Sequence, residues 1–319
     1  MPPELTDLSE HISLTPTQAI GIPIALVGAV LIAIATQLQH SGVAKVGQTI
    51  EVTNAKQGLS MAQLRGILSR PMWLIGTVLF GIAILIQLTS LAFAPLTVVQ
   101  PLGAVALVVT AVLNARLAKI KLDRASIRAI AFCIGGIALF VTFAALFAES
   151  LRVTEAQLAT ILIILVVVLI GLAVAFALLR KRGFPAVFYI IAAGVLYAFV
   201  ATLAKVIIDR VKTLSFDGFR LGEAEWLTVL CVVGLIVAAL LGGYFVQSAY
   251  SNGPPDLVVA GLTVIDPIVA ITIGIVVLGE AASAPLWVIP VFLLAGALAV
   301  YGVFQLAKHH PQTQPLPEL

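Results

Sequence analysis

Charge is what this sequence has least of. Of 319 residues only 10% are charged and 61% are hydrophobic, where soluble domains carry about 25% charged residues. That excludes a soluble fold of this length, because a single core stops growing at about 250–300 residues. Cysteine is almost missing. Cys133 and Cys231 both lie inside apolar runs, where they read as small buried residues, with no disulfide framework and no metal-ligand spacing. Met1 to Gln18 contains no Lys or Arg but holds Glu4, Asp7 and Glu10. Without a basic n-region it is not a signal peptide, so the first apolar run is expected to be retained as a helix. No basic stripe with interleaved aromatics points to nucleic acid. No P-loop or nucleophile–base pair points to an enzyme, and no cofactor is expected.

What the chain has is long apolar runs. A spanning helix needs about 20 mostly apolar residues, and nine runs qualify: 19–39, 72–93, 96–116, 127–147, 157–179, 184–208, 226–248, 257–278 and 286–307. They lack the alternation of barrel strands, so the expected fold is all-α, a polytopic membrane protein of about nine transmembrane helices. Residues 1–18 form an extracytoplasmic tail in this reading and 308–319 a Pro-rich cytoplasmic one. Within the long 40–71 connection, Leu59, Leu64, Ile67 and Leu68 share a face that suits either a membrane-surface helix or a plain loop. Lys45, Lys56, Arg65 and Arg70, then Arg116, Lys119, Lys121, Arg124 and Arg128, then Arg180, Lys181 and Arg182 all fall on one side of a nine-span chain. The positive-inside rule makes that side cytoplasmic, with the N-terminus outside and the C-terminus inside. Arg210, Lys212 and Arg220 strain the scheme, because it places 209–225 outside. Trp73, Trp226 and Trp287 stand at helix starts, as interface anchors do.

The chain also repeats itself. A gapless slide of 160 residues pairs Gln87 with Gln247, Pro95 with Pro255, Phe132 with Phe292 and Gly136 with Gly296, along with several Val and Leu matches. Helices three and eight run in opposite directions, so the repeat is inverted, with helices 1–4 (19–147) against helices 5–9 (157–307), a 4+5 division. Inverted repeats recur in secondary transporters, whose site lies near the midplane between the halves. The expected class is therefore transport. The cytoplasmic loops are too short for an ATPase, so uphill movement must draw on an ion or solute gradient, or on a partner.

Ionisable residues inside spans cost about 2.5–3.5 kcal/mol on insertion scales and are functional candidates by default. Asp266 lies about ten residues into helix eight and precedes Pro267, which donates no backbone hydrogen bond. Lys205 sits toward the outer end of helix six, where snorkelling explains it as well as function does, with Asp266 as a candidate partner. Glu280 closes helix eight, a position that also fits an exposed charge. Gln87, Gln100, Asn114 and Gln247 are neutral polar residues in spans, each readable as interhelical glue or as cavity lining. Gln37 is read the same way. Tyr189, Tyr197 and Tyr244 are candidates for one cavity wall. Pro101 and Pro267 are candidate hinges.

Two stretches carry a family resemblance. Val264-Ile265-Asp266-Pro267 followed by Leu278-Gly279-Glu280 resembles the EamA-type repeat of the drug/metabolite transporter superfamily. Ala92-Phe93-Ala94-Pro95-Leu96-Thr97-Val98-Val99-Gln100-Pro101-Leu102-Gly103-Ala104, with Trp73 and Gly76 ahead of it, resembles the NIPA-type magnesium transporter branch. The chain departs from the family at Ile120, where a Glu is usual, and at Gln100-Pro101 and Ala260-Gly261, where the branch has Thr-Pro. The resemblance implies a plasma-membrane transporter whose cargo is either Mg²⁺, with Asp266 as the cation ligand, or an organic metabolite. The scarcity of membrane carboxylates leans toward the organic solute. A lipid or lipid-linked sugar flippase and a non-transporting membrane assembly protein are the other classes. The composition suggests a bacterial host, the partners expected are the bilayer and the cargo, and a homodimer stays open.

Overall fold

The structure is a computed structural model and describes residues 16–47, 71–117, 123–179, 185–216 and 225–308. They form ten helical segments: α1 (Pro16–Gly47), α2 (Pro71–Phe93), α3 (Leu96–Gly103), α4 (Val105–Leu117), α5 (Arg124–Phe147), α6 (Glu155–Leu179), α7 (Ala186–Phe216), α8 (Glu225–Asn252), α9 (Pro255–Val276) and α10 (Val288–Lys308). Among the described residues nine spans are long and apolar enough to cross a bilayer, α3 and α4 together making the third. The chain is thus an all-α, multi-pass membrane protein. Only helices satisfy their backbone polar groups without water or a neighbouring strand.

The boundaries follow local chemistry. Asp123 caps α5 by accepting from the Ser126 N–H at 2.8 Å, the usual use of an Asp just before a helix. Thr154 and Gln157 form a capping box at the start of α6. The first helix runs on to Gly47, past the apolar stretch expected to end at residue 39. The surface-segment reading of Leu59 to Leu68 lies outside the described residues, as do Lys119–Lys121, Arg180–Arg182, residues 1–15 and residues 309–319, whereas residues 16–18, expected in the N-terminal tail, are already the first turn of α1.

Span three is interrupted at a single residue, Ala104, whose own backbone stays in the right-handed helical region (φ -67°, ψ -17°); its apolar run reads as continuous. Pro101 lacks an N–H, and two residues later Gly103 ends α3. The Ala104 N–H bonds the Pro101 carbonyl at 3.2 Å and the Leu107 N–H bonds Ala104 at 3.1 Å. These three-residue bonds replace α-helical ones across the break, and the Thr97 carbonyl has no four-residue donor because residue 101 is Pro. The other candidate hinge differs. Helix α9 continues through Pro267 without interruption.

The helices pack in corresponding sets. Helix α1 lies on α2 and on the α3–α4 span, just as α7 lies on α8 and on α9. The two sets meet where α3 touches α9 and where α5 lies along α10. Span five, α6, packs on α7 and α8 and is the least buried span. The α5–α10 seam is the tightest: a Cβ added at Gly136 would lie 2.4 Å from the Ala299 nitrogen, and one at Gly302 would lie 2.3 Å from the Cys133 nitrogen.

Gly279, just past α9, has φ 72°. That left-handed turn folds the next residue, Glu280, back toward α3. Gly279→Ala is expected to cost about 1 kcal/mol, read as a lower thermal midpoint in detergent. An unchanged midpoint would show that the turn relaxes freely.

Candidate functional site

Asp266 is half-buried on α9, and its Oδ1 is buried with no hydrogen-bond partner. Its surroundings are set by close helix crossings. A Cβ at Gly194 of α7 would lie 2.7 Å from Ile265 and 3.4 Å from the Asp266 nitrogen. Tyr197, one turn further along α7, is within electrostatic reach of the carboxylate. Gly242 of α8 gives that ring its room, with ring atoms 3.2 and 3.3 Å from where a Cβ would stand.

Helical register fixes the depth of this group. Gly274 of α9 lies against Thr97 of α3, whose Oγ1 is 3.0 Å from the place of its missing Cβ. Asp266 is eight residues before Gly274, about 12 Å along the helix. Eight residues beyond Thr97 on the antiparallel α3 is Val105, the first residue past the break. The unpartnered Asp266 oxygen and the interruption of span three therefore share one level. Gln87 joins that level. It is seven residues before Ala94 and Pro101 is seven after it, each about 10 Å from the turn. The Gln87 Oε1 is also buried without a partner, pressed 2.7 Å from the place of a Cβ on Gly28.

The remaining candidates separate. Asn114 is buried near the far end of α4, with its Nδ2 unpartnered. Gln100 is half-buried beside the break, and Gln247 is exposed near the end of α8. Tyr189 belongs to an aromatic group with Phe188 and Phe245, and Tyr244 is 55% exposed, so of the three tyrosines only Tyr197 stands beside Asp266.

Lys205 is not paired with Asp266, and it does not snorkel. It is 2% exposed, and its ammonium lies 3.1 Å from Asp209 Oδ2, one turn along its own helix. It donates to the carbonyls of Leu91 (2.9 Å) and Ala94 (3.3 Å) and to Ser150 Oγ (3.2 Å). The ammonium of Lys212 bonds the Ala92 carbonyl and lies over the Phe93 ring. Both lysines thus meet the carbonyl end of α2, the negative end of its dipole. Both act as caps on the end of α2.

Glu280 is not an exposed charge. It is 2% exposed, and its carboxylate accepts from Leu96 N (2.7 Å), Thr97 N (2.8 Å) and Thr97 Oγ1 (2.5 Å), at the positive end of α3. Burial pushes its carboxyl above the ordinary glutamate range. The hydrogen bonds from Thr97 and Leu96 and the field of Lys205 pull the other way without overcoming burial. Gln157 donates from α6 to the carbonyls of Val277 and Leu278 (3.0 and 3.2 Å), and Gln18 donates from α1 to Ala148 (2.7 Å). Thr97, Asp209, Lys212 and Gln157 do not stand out as site residues in the sequence. Two left a signal: Asp209 is four residues from Lys205, and Thr154 with Gln157 spells a capping box.

Removing the Lys205 ammonium strands Asp209 and two carbonyls. Lys205→Met is expected to cost about 3 kcal/mol, the scale for breaking a buried pair, read as a lower thermal midpoint. Lys205→Met/Asp209→Leu should recover part of it. A double variant as unstable as the sum of the singles would show that the pair is uncoupled.

The model of the magnesium transporter NIPA family matches residues 17–311. An uncharacterized protein of Corynebacterium glutamicum is 26% identical over 253 residues, covering 79% of this chain and 85% of that one. No solved structure matches. With nine spans among the described residues and a family match running from the first to the last of them, the chain belongs to the magnesium transporter NIPA family.

Proposed function

We propose that this chain is a secondary transporter of Mg²⁺, carried largely hydrated past Asp266 by alternating access between two inverted halves. The observation that carries the proposal is the buried, unpartnered oxygen of Asp266 at the level of the break in span three. Mg²⁺ gives up its waters reluctantly and is commonly held by one or two carboxylates with several waters kept. One carboxylate, with the Gln87 amide oxygen at the same depth and retained waters supplying the other oxygens, suits such an ion. Family membership tips the choice of cargo that the sequence left open toward Mg²⁺. The corresponding packing of α1–α5 and α7–α10, with α6 outside the scheme, supports the inverted repeat. It makes α6 the extra helix of the second half. In this reading the Pro101 break is the hinge, the N-terminus lies outside a bacterial plasma membrane, and the Phe93–Pro95 turn faces out.

The test is flux in liposomes with purified protein, wild type beside Asp266→Asn, offering Mg²⁺ and separately a panel of amino acids and amines. Mg²⁺ uptake by wild type is expected, falling to the protein-free background in the variant. An organic solute moving down a proton gradient without Mg²⁺ flux would replace the cargo. Protein that moves neither would favour lipid flipping or an assembly role.

A further inference from the structure

The α2–α3 turn belongs to the first half of the chain, yet charges of the second half hold it. Lys205 and Lys212 reach the carbonyl end of α2 from α7. Glu280 reaches the N–H end of α3 from the connection after α9. Each charge is matched to the helix end it meets. A Cβ on Gly274 would lie 2.8 Å from the Glu280 carboxylate, so the seat depends on a bare backbone there. Above the turn lies an open cavity of about 320 Å³, lined by Thr17, Phe93, Ser150, Arg152, Asp209 and Lys212. Below it, about 12 Å further along α9, is Asp266. The turn therefore separates an outer vestibule from the proposed site.

We infer that Glu280 and Lys205 form a latch on this turn that closes the vestibule end, and that access to Asp266 from that end requires Glu280 to leave Leu96 and Thr97. The inference rests on the transport reading for its purpose and not for its existence. The latch suits release: its carboxylate sits in a site where burial outweighs the hydrogen bonds it receives, and the turn it holds borders the open cavity through Ala92 and Phe93. Its bonds join two halves of the chain, residues 184 and 183 apart. Breaking them moves one half against the other and leaves each half's own helices intact.

The experiment reads opening directly. Ser90, in the last turn of α2, is 0% exposed, and so is Cys133 at the α5–α10 seam. In a Cys231→Ala background, Ser90→Cys reports opening and Cys133 serves as the internal control. A charged, membrane-impermeant thiol reagent is applied to the closed-latch protein and to Glu280→Gln and Thr97→Val versions of it. Glu280→Gln is expected to speed modification at position 90 about tenfold or more, the population change that follows loss of a charge-assisted hydrogen bond. Thr97→Val, which removes one of the three bonds and is nearly isosteric, should give a smaller rise. Cys133 should stay unmodified in all of them. Unchanged rates at position 90 in both variants overturn the latch, and so does a parallel rise at Cys133, which marks general loosening. Faster modification at position 90 in protein that carries no cation supports the latch while removing the transport reading.

Discussion

Asp266→Asn is expected to lose transport and gain stability together. Asn has nearly the shape of Asp, so the close approach to Gly194 and Ile265 persists. Only the charge goes. An ionised side chain within a span costs about 2.5–3.5 kcal/mol on insertion scales, and this one has a buried oxygen with no partner to repay it. Recovering part of that, about 1–2 kcal/mol, should raise the thermal midpoint in detergent. Mg²⁺ flux in liposomes should fall to background, because a neutral amide leaves a divalent ion facing the apolar interior without a counter-charge. Opposite signs in stability and activity are what a functional group held at structural cost produces, whereas a structural cap lost at this position would lower both. Asp266→Glu should keep part of the flux and lose stability, since the added methylene must fit beside α7. An Asp266→Asn protein that transports at the wild-type rate would move the cation site elsewhere, and one that melts earlier would make Asp266 structural.

The spans were legible because the bilayer imposes length. Nine runs of about 20 apolar residues became nine spans among the described residues, with ends shifted by a few residues at most boundaries. Trp73, Trp226 and Trp287 all stand at or beside helix starts. Asp266 was legible because an acid in a run of Val, Ile and Leu stands out on composition alone. Glu280 and Lys205 also stood out, but their partners could not be read. Leu96 and Thr97 lie more than 180 residues from Glu280, and no local pattern reports such a contact. Position near a helix end suggested exposure for Glu280; the turn at Gly279 instead folds it inward. The break in span three was half legible. Pro101 marked the place, but the separation into α3 and α4 also required Gly103, which apolar periodicity does not register.

The repeat misleads at one instructive point. The slide pairs Gly136 with Gly296, but a Cβ at Gly296 would meet nothing within 4 Å, while Gly136 lies against the α10 backbone. The residue of α10 that answers Gly136 in the seam is Gly302. Gly302→Val is therefore expected to be among the most damaging single changes in the chain. Its Cβ would fall 2.3 Å from Cys133 N, 2.6 Å from Cys133 Cα and 2.8 Å from Ala129 O. All three are backbone, so no rotamer change clears them and the helices must part. Association of helices in lipid rests on packing more than on a hydrophobic drive, so lipid does not offset the separation of α5 from α10. Overpacking against movable side chains costs about 1–3 kcal/mol, and against a rigid backbone the upper end or more is expected. The readout is the yield of monodisperse protein and its thermal midpoint, both far below wild type for Gly302→Val and for Gly136→Val. Gly296→Ala and Gly135→Ala, which enter open space, should match or slightly exceed wild type, because Ala favours helix over Gly by about 1 kcal/mol. If Gly302→Val folds as well as Gly296→Ala, α5 and α10 do not meet backbone to backbone, and the contact that joins the two halves lies elsewhere than this seam.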